Sequence, residues 1–208
     1  MKTVLIDYGM GNLGSARRAL EECGADLAIS DDPSVLKDAE RIVLPGVGAF
    51  PDGIRNLEAG DWPSHIRRAV DNPQVALLGI CLGMQLLADK STEGGENSGL
   101  GLVPGLVERI VPRERERIPH IGWNEVRLRR SAPLVLGIED GTDFYFVHSF
   151  QFNAAEEADV VGSTPYGSGF AAVVQRGNVY GTQFHPEKSS RAGFQILRNF
   201  LSRSLLDA

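Results

Sequence analysis

A lone cysteine, Cys81, stands in the stretch Gly79-Ile80-Cys81-Leu82-Gly83, the spacing of a nucleophile elbow with sulfur in place of the usual serine oxygen. A sharp strand-to-helix turn lifts such a side chain clear of the sheet. It aims the side chain at the first N–H groups of a helix, whose partial positive charge stabilises a thiolate. A cysteine buried simply as a small apolar residue is the competing reading. The chemistry therefore depends on finding a base, and a group that orients the base. Of the four histidines, His65 lies in an amphipathic helical stretch and reads as a surface residue. His185 is different: it ends an apolar strand, and Pro186 biases it toward extended geometry. In an extended segment residues i and i+2 share a side, so Glu187 reaches the same neighbourhood. A carboxylate bound to one imidazole nitrogen fixes the tautomer and leaves the other nitrogen for the sulfur. Cys81, His185 and Glu187 are thus a candidate nucleophile, base and orienting acid. The N–H of Leu82, at the helix start, is a candidate oxyanion donor.

The elements that must hold these residues follow from periodicity. Thr3 to Asp7 reads as a buried strand; Leu13, Ala16, Leu20 and Cys23 follow at helical spacing, and Gly24 closes the helix. Asp26 to Ser30, Arg41 to Leu44 and Val75 to Ile80 are further strands. Asp32-Pro33 opens a short helix, and helical segments surround Ile54 and Ile66. This alternation predicts βαβ units and a mostly parallel central sheet flanked by helices. Beyond Gly94-Gly95 the chain becomes strand-rich and more antiparallel, with strands at Glu125 to Arg129, Asp143 to Val147, Gly169 to Gln175 and Val179 to Phe184. Arg176-Gly177-Asn178 makes the hairpin turn between the last two. Phe194, Leu197, Leu201 and Leu205 mark a closing amphipathic helix. The fold class expected is α/β, with a nucleophile elbow.

At 208 residues the chain is long enough for a sizeable core and reads as one domain, 1–208. Its two cysteines are too few for a disulfide framework and lack zinc-ligand spacing. A reducing, cytoplasmic setting is the default. The amino terminus reaches Asp7 too soon for a signal-peptide core, and no apolar run approaches a membrane span. A formal charge of −6 argues against broad nucleic-acid binding, and the alternating charges of Arg113 to Arg117 read as a solvated face. One competing motif needs an answer. Gly9-Met10-Gly11-Asn12-Leu13-Gly14 satisfies a dinucleotide fingerprint, with Asp31 at about the right distance to hold a ribose. The pattern is short, and no substrate domain follows; an oxidoreductase or non-catalytic nucleotide module is the weaker reading, and the stretch also fits a plain turn lining a site.

Taken with Gln85 and Gln183-Phe184-His185-Pro186-Glu187, the elbow resembles the triad, or class I, glutamine amidotransferase family. Four more segments narrow the resemblance to the glutaminase subunits of imidazole glycerol phosphate synthase. They are Asp7 to Asn12, Pro45 to Phe50, Pro119 to Asn124 and Tyr145 to Phe150. The one departure is Phe150, where tyrosine is expected. The resemblance implies that Cys81 attacks the carboxamide of glutamine, leaving a glutamyl thioester that water then hydrolyses. It implies a second oxyanion donor from Pro45-Gly46-Val47-Gly48, with Val47 and Gly48 the residues concerned, and glutamine contacts from Gln85, His148, Ser149 and Phe150. It implies no cofactor or metal. The ammonia would pass to a separate cyclase subunit, a (β/α)₈ barrel of the histidine pathway, in a heterodimer. Asn12, Pro119, Trp123 and Asn124 are the candidate docking residues, a tryptophan beside Gly122 suiting an interface anchor. Val47, being β-branched, resists positive φ, so the oxyanion strand is expected to need help from the partner. A glutaminase feeding another synthase, such as one making pyridoxal phosphate, is the nearest alternative; the Pro119 to Asn124 segment argues against it.

Overall fold

The computed structural model describes residues 1–206. In the first half, strands and helices alternate as β1 (Lys2–Ile6), α1 (Leu13–Glu22), β2 (Asp26–Ser30), β3 (Arg41–Leu44), α2 (Phe50–Ala59), α3 (Trp62–Val70) and β4 (Ala76–Ile80). The short runs Val4-Leu5-Ile6, Ile42-Val43-Leu44 and Ala76-Leu77-Leu78 are buried throughout, as strands covered on both faces must be. Polar side chains set the breaks between them. The Asn12 amide caps α1 through the Ser15 N–H at 3.4 Å, and Gly24 ends it at φ +86°. The Asp32 carboxylate caps a 3₁₀ turn over Pro33–Asp38.

The rest of the chain supplies a one-turn α4 (Leu82–Gln85), β5 (Lys90–Ser91), β6 (Asn97–Ser98), β7 (Gly105–Arg109), β8 (His120–Leu128), β9 (Thr142–His148), β10 (Phe150–Ala154), β11 (Val160–Thr164), β12 (Phe170–Arg176), β13 (Val179–Thr182) and α5 (Ser190–Leu201). The parallel and antiparallel halves form one nine-stranded sheet, in the order β2-β1-β3-β4-β13-β12-β11-β8-β9. Pairing is parallel from β2 through β13 and antiparallel from β13 to β9. One apolar cluster, around Leu20, Tyr180 and Phe200, packs on the α1 and α5 side. The other, around Leu57, Trp62, Ile66 and Leu86, packs on the α2 and α3 side. A second sheet, β10-β7-β5-β6, lies beside them. Among the described residues no helix is long and apolar enough to cross a membrane.

Two departures from the sequence expectation bear on the site, and so does the length of the helix at the elbow. The last strand of the large sheet stops at Thr182 instead of Phe184; Gln183 keeps one bond to the Ala172 carbonyl, and by His185 the main chain has turned to the Tyr145 carbonyl. The strand expected from Glu125 begins at His120, because it pairs with β9 from His120 opposite His148 to Val126 opposite Thr142. The helix after Cys81 is one turn long. Residues Gly99 to Val103 cross it, and the N–H groups of Leu100, Gly101 and Leu102 take the carbonyls of Leu86, Ala88 and Leu87. Tertiary pairing thereby removes the carbonyls that a longer helix would have used, and the dipole behind Cys81 is correspondingly small.

Candidate active site

Cys81 and His185 lie at the carboxyl ends of adjacent parallel strands. β4 and β13 pair from Leu77 opposite Val179 to Ile80 opposite Thr182, and the Cys81 N–H continues that ladder to the Thr182 carbonyl at 2.8 Å. Cys81 itself has φ +55° and ψ −108°, a strained conformation for a non-glycine residue. The turn that imposes it is possible only with glycine on both sides. A Cβ on Gly79 would lie 2.6 Å from the Gly83 carbonyl oxygen, and one on Gly83 would collide with the main chain of Leu44.

His185 is held from three directions. Its N–H donates to the Tyr145 carbonyl at 3.0 Å, its carbonyl accepts the Ser189 hydroxyl at 2.7 Å, and its Nδ1 lies 2.8 Å from Glu187 Oε1. The same Ser189 oxygen accepts the Tyr145 N–H, which fixes β9 against the histidine. The Glu187 carboxylate makes Nδ1 the protonated nitrogen. Nε2 is buried and makes no hydrogen bond, so it is the ring atom free for the sulfur. Burial opposes charge on the ring, but the Cys81 sulfur as thiolate and the Glu187 carboxylate outweigh it and push the imidazole up to about 10. This proton is held far above the unfolded value. Its stabilising effect is complete below about pH 6.5, and is lost as pH rises through about 10. Turnover that draws on that imidazolium is expected to hold through pH 9 and to fall as pH passes about 10; a kcat profile measured between pH 6 and 11 checks it.

The thiol opens into a cavity of about 330 Å³, in the usual range for a small-molecule site. Val47 and Gly48, Leu82 and Gln85, and Val147 to Phe150 line it. Gly48 has φ +114°, whereas Val47 stays out of the positive-φ region. The Leu82 N–H belongs to the first helical turn, which has no intrahelical acceptor. Gln85 donates from Nε2 to the Phe150 carbonyl at 2.9 Å and to Gln183 Oε1 at 3.0 Å. His148 lines the wall, yet its ring is spent inside the chain. Nδ1 donates to the Phe150 carbonyl at 2.7 Å, so Nε2 must accept from His120 Nδ1 at 3.0 Å; His120 Nε2 in turn accepts from Asn124 Nδ2 at 3.1 Å. His148 thus positions the Phe150 carbonyl. Phe150 contributes that main-chain oxygen, which the missing tyrosine hydroxyl leaves intact.

Burial holds both histidines neutral, His148 down to about 3 and His120 down to about 4. For His148 the unfolded chain binds a proton below about pH 6.5 that the folded chain refuses. Its contribution to stability is complete above that pH and is lost as pH falls toward about 3. We expect urea denaturation to show a loss of about 2 kcal/mol from His148 alone between pH 7.5 and pH 5, with His120 acting in the same direction.

Sequence reasoning passed over Glu93. It is the carboxylate of the cavity wall, half-buried, and it accepts the Phe50 N–H at 2.8 Å. Burial raises its carboxyl above the ordinary range against the pull of that N–H. The sequence signal was weak, because Glu93 lies in a polar stretch with other acids and only folding returns that stretch to the elbow. The four docking candidates divide. Asn12 and Pro119 are exposed, and Trp123 is 53 % exposed, which excludes the core role for its ring. The Asn124 amide is turned inward, to His120 and the Glu125 N–H. Asn12 borders a narrow cleft shared with Val47, His185 and Glu187, and Trp123 contacts Tyr145, over whose ring Lys188 lies. The glycine-rich stretch Gly9 to Gly14 is a plain strand-to-helix turn with Gly11 against Pro45, and Asp31 is exposed.

A strained cysteine at the head of a parallel strand, beside a buried histidine oriented by glutamate, defines a cysteine hydrolase of the triad class. The chain belongs to the class-I glutamine amidotransferase family, whose model matches residues 4–204. Among its relatives, the imidazole glycerol phosphate synthase subunit HisH of Moorella thermoacetica is 50% identical over 196 residues, 94% of this chain and 92% of the relative. The subunit of the same name from Archaeoglobus fulgidus is 44% identical over 198 residues, covering 95% and 96%. The fold recurs in PurLQS from Thermotoga maritima, with a TM-score of 0.74 at 22% identity over 96% and 97% of the two chains. It recurs again in a crystal structure of a glutamine amidotransferase, with a TM-score of 0.76 at 20% identity over 99% of each.

Proposed function

We propose that this chain, a single domain over residues 1–208, hydrolyses glutamine to glutamate and ammonia. The ammonia goes to a (β/α)₈-barrel cyclase subunit that makes imidazole glycerol phosphate and aminoimidazole carboxamide ribotide in histidine biosynthesis. The observation that carries the reading is the Cys81, His185 and Glu187 arrangement opening into one cavity, in a chain half identical to a HisH subunit. In the first step the Cys81 thiolate attacks the carboxamide carbon, and the His185 imidazolium gives its proton to the departing ammonia. A glutamyl thioester remains. Water attacks it with His185 as base, and Glu187 stabilises the imidazolium in both steps. The N–H of Leu82 and a peptide N–H of Val47 or Gly48 receive the oxyanion, each such donor being worth about 3 kcal/mol. Gln85, held in place by the Phe150 carbonyl, and Ser149 bind the amino-acid end of glutamine, with Glu93 suited to its ammonium group. Free ammonia is protonated near neutral pH and loses its nucleophilicity, so direct transfer suits the chemistry. Asn12, Pro119 and Trp123 form the docking face, with the cleft behind His185 as the way out.

Val47 lies outside the positive-φ region, and β-branching opposes a backbone turn that would aim its peptide at the oxyanion. Glutaminase activity in the isolated chain is therefore expected to be low, and to rise at least about tenfold when the cyclase binds its ribonucleotide substrate, within the usual range of coupling between sites. Steady-state glutamine hydrolysis with and without the loaded cyclase tests both the reaction and its control. Equal rates would overturn the control, and no turnover in either state would overturn the function.

A further inference from the structure

The glutamine two residues before His185 takes no part in the mechanism above, yet it is fully buried and lies between two groups that do. Gln183 donates from Nε2 to the Cys81 sulfur at 3.8 Å and accepts at Oε1 from Gln85 Nε2 at 3.0 Å. Its own N–H is fixed to the Ala172 carbonyl at 2.9 Å, so the side chain starts from an anchored backbone.

The orientation of both amides follows from one atom. The Phe150 carbonyl can only accept, and it receives His148 Nδ1 and Gln85. Gln85 must therefore present its nitrogen to Phe150. Its second amide hydrogen then points at Gln183, which must answer with oxygen. That leaves the Gln183 nitrogen, and no other atom of its side chain, for the sulfur. Reversing either amide would set donor against donor or acceptor against acceptor in a buried place, at the cost of an unpaired polar group. With both hydrogens of Gln85 spent, its oxygen is the atom left for the cavity that Gln85 lines.

We propose that Gln183 is a positioning residue for the glutaminase reaction: one carboxamide supports the Cys81 thiolate and locks Gln85 with its carbonyl oxygen toward substrate. This rests on the reading of Cys81 as the glutaminase nucleophile. The N–H donor to sulfur strengthens when the sulfur is anionic, since hydrogen bonds to charged acceptors are shorter and about twice as strong. A fixed Gln85 offers substrate an acceptor and no donor, which favours the N–H groups of glutamine over an oxygen at the same place.

The test is a double-mutant cycle with Gln183→Met and Gln85→Met, measured in the complex with the cyclase. Gln183→Met is expected to slow alkylation of Cys81 by iodoacetamide about tenfold and to raise the KM for glutamine about tenfold. Gln85→Met should raise KM similarly with alkylation unchanged. The double variant should show a KM no worse than Gln85→Met alone, because a shared interaction is lost only once. Should Gln183→Met unfold, Gln183→Glu keeps the shape and the acceptor for Gln85. It is expected to keep KM within about twofold while alkylation slows. Additive KM effects, or unchanged alkylation in a folded Gln183 variant, would overturn the proposal. Absence of glutamine turnover in the unaltered complex would instead overturn the glutaminase reading beneath it.

Discussion

Replacing the sulfur by hydrogen, as in Cys81→Ala, should lower glutamine-dependent synthesis by the reconstituted complex at least about 10⁴-fold, as loss of the nucleophile does in other triad hydrolases. Synthesis from added ammonia should persist, because the proposed reaction uses Cys81 only to release ammonia from glutamine. The change is small in volume, and the polar contacts it removes, from Gln183 Nε2 at 3.8 Å and to the Val147 carbonyl at 3.9 Å, are long ones. Fold loss is therefore not the expected outcome, and thermal unfolding serves as the control. The same variant tests the coupling within the triad. The sulfur is one of two groups that hold the His185 imidazole up near 10 against burial. Without it, burial opposes Glu187 alone, and the imidazole titration followed by NMR should move down. Retained glutamine turnover, or loss of the ammonia-dependent reaction, would contradict the assigned role.

The second large effect is one of stability. Gly→Ala within a helix ordinarily stabilises by about 1 kcal/mol, and Gly83 is in a helical turn. Here the sign should reverse. A Cβ at Gly83 runs into the carbonyl of Leu44, at the end of the neighbouring strand, where neither main chain can yield. Gly83→Ala is expected to cost about 3 kcal/mol or more, a fall in Tm of roughly 10 °C for a chain of this size, and to displace Cys81 as it does so. Gly14→Ala is the matched control, since a Cβ there meets nothing within 4 Å. It should be neutral or slightly stabilising. Equal melting temperatures for the two variants would show that the elbow is not closed by this contact.

Much of this was legible in the order of residues. Local signals are short-range physics, and they were read correctly where a segment's state depended on its own side chains. Examples are the apolar runs of β1, β3 and β4, the Asp32-Pro33 opening, Gly24 as a helix stop and Gly177 as a turn. The pairing of Cys81 with His185 and Glu187 was also readable, because two strong local motifs needed each other chemically. What failed were elements whose form another part of the chain imposes. Strand β11 was not read, its apolar pattern being broken at Gly162, where the register with β12 shifts. Strand β8 reached back to His120 because β9 paired with it. Glu93, Gln183 and the two neutral histidines owe their place in the site to such pairings.

The sequence by itself determined the elbow around Cys81, the His185 and Glu187 pair and the parallel half of the sheet, since each rests on residue types at fixed short spacing. Only the tertiary structure decided which atoms face the cavity. Hydrogen-bond direction at His148, Gln85 and Gln183 depends on what every neighbouring donor and acceptor has already spent. That accounting closes only when strands distant in sequence lie side by side.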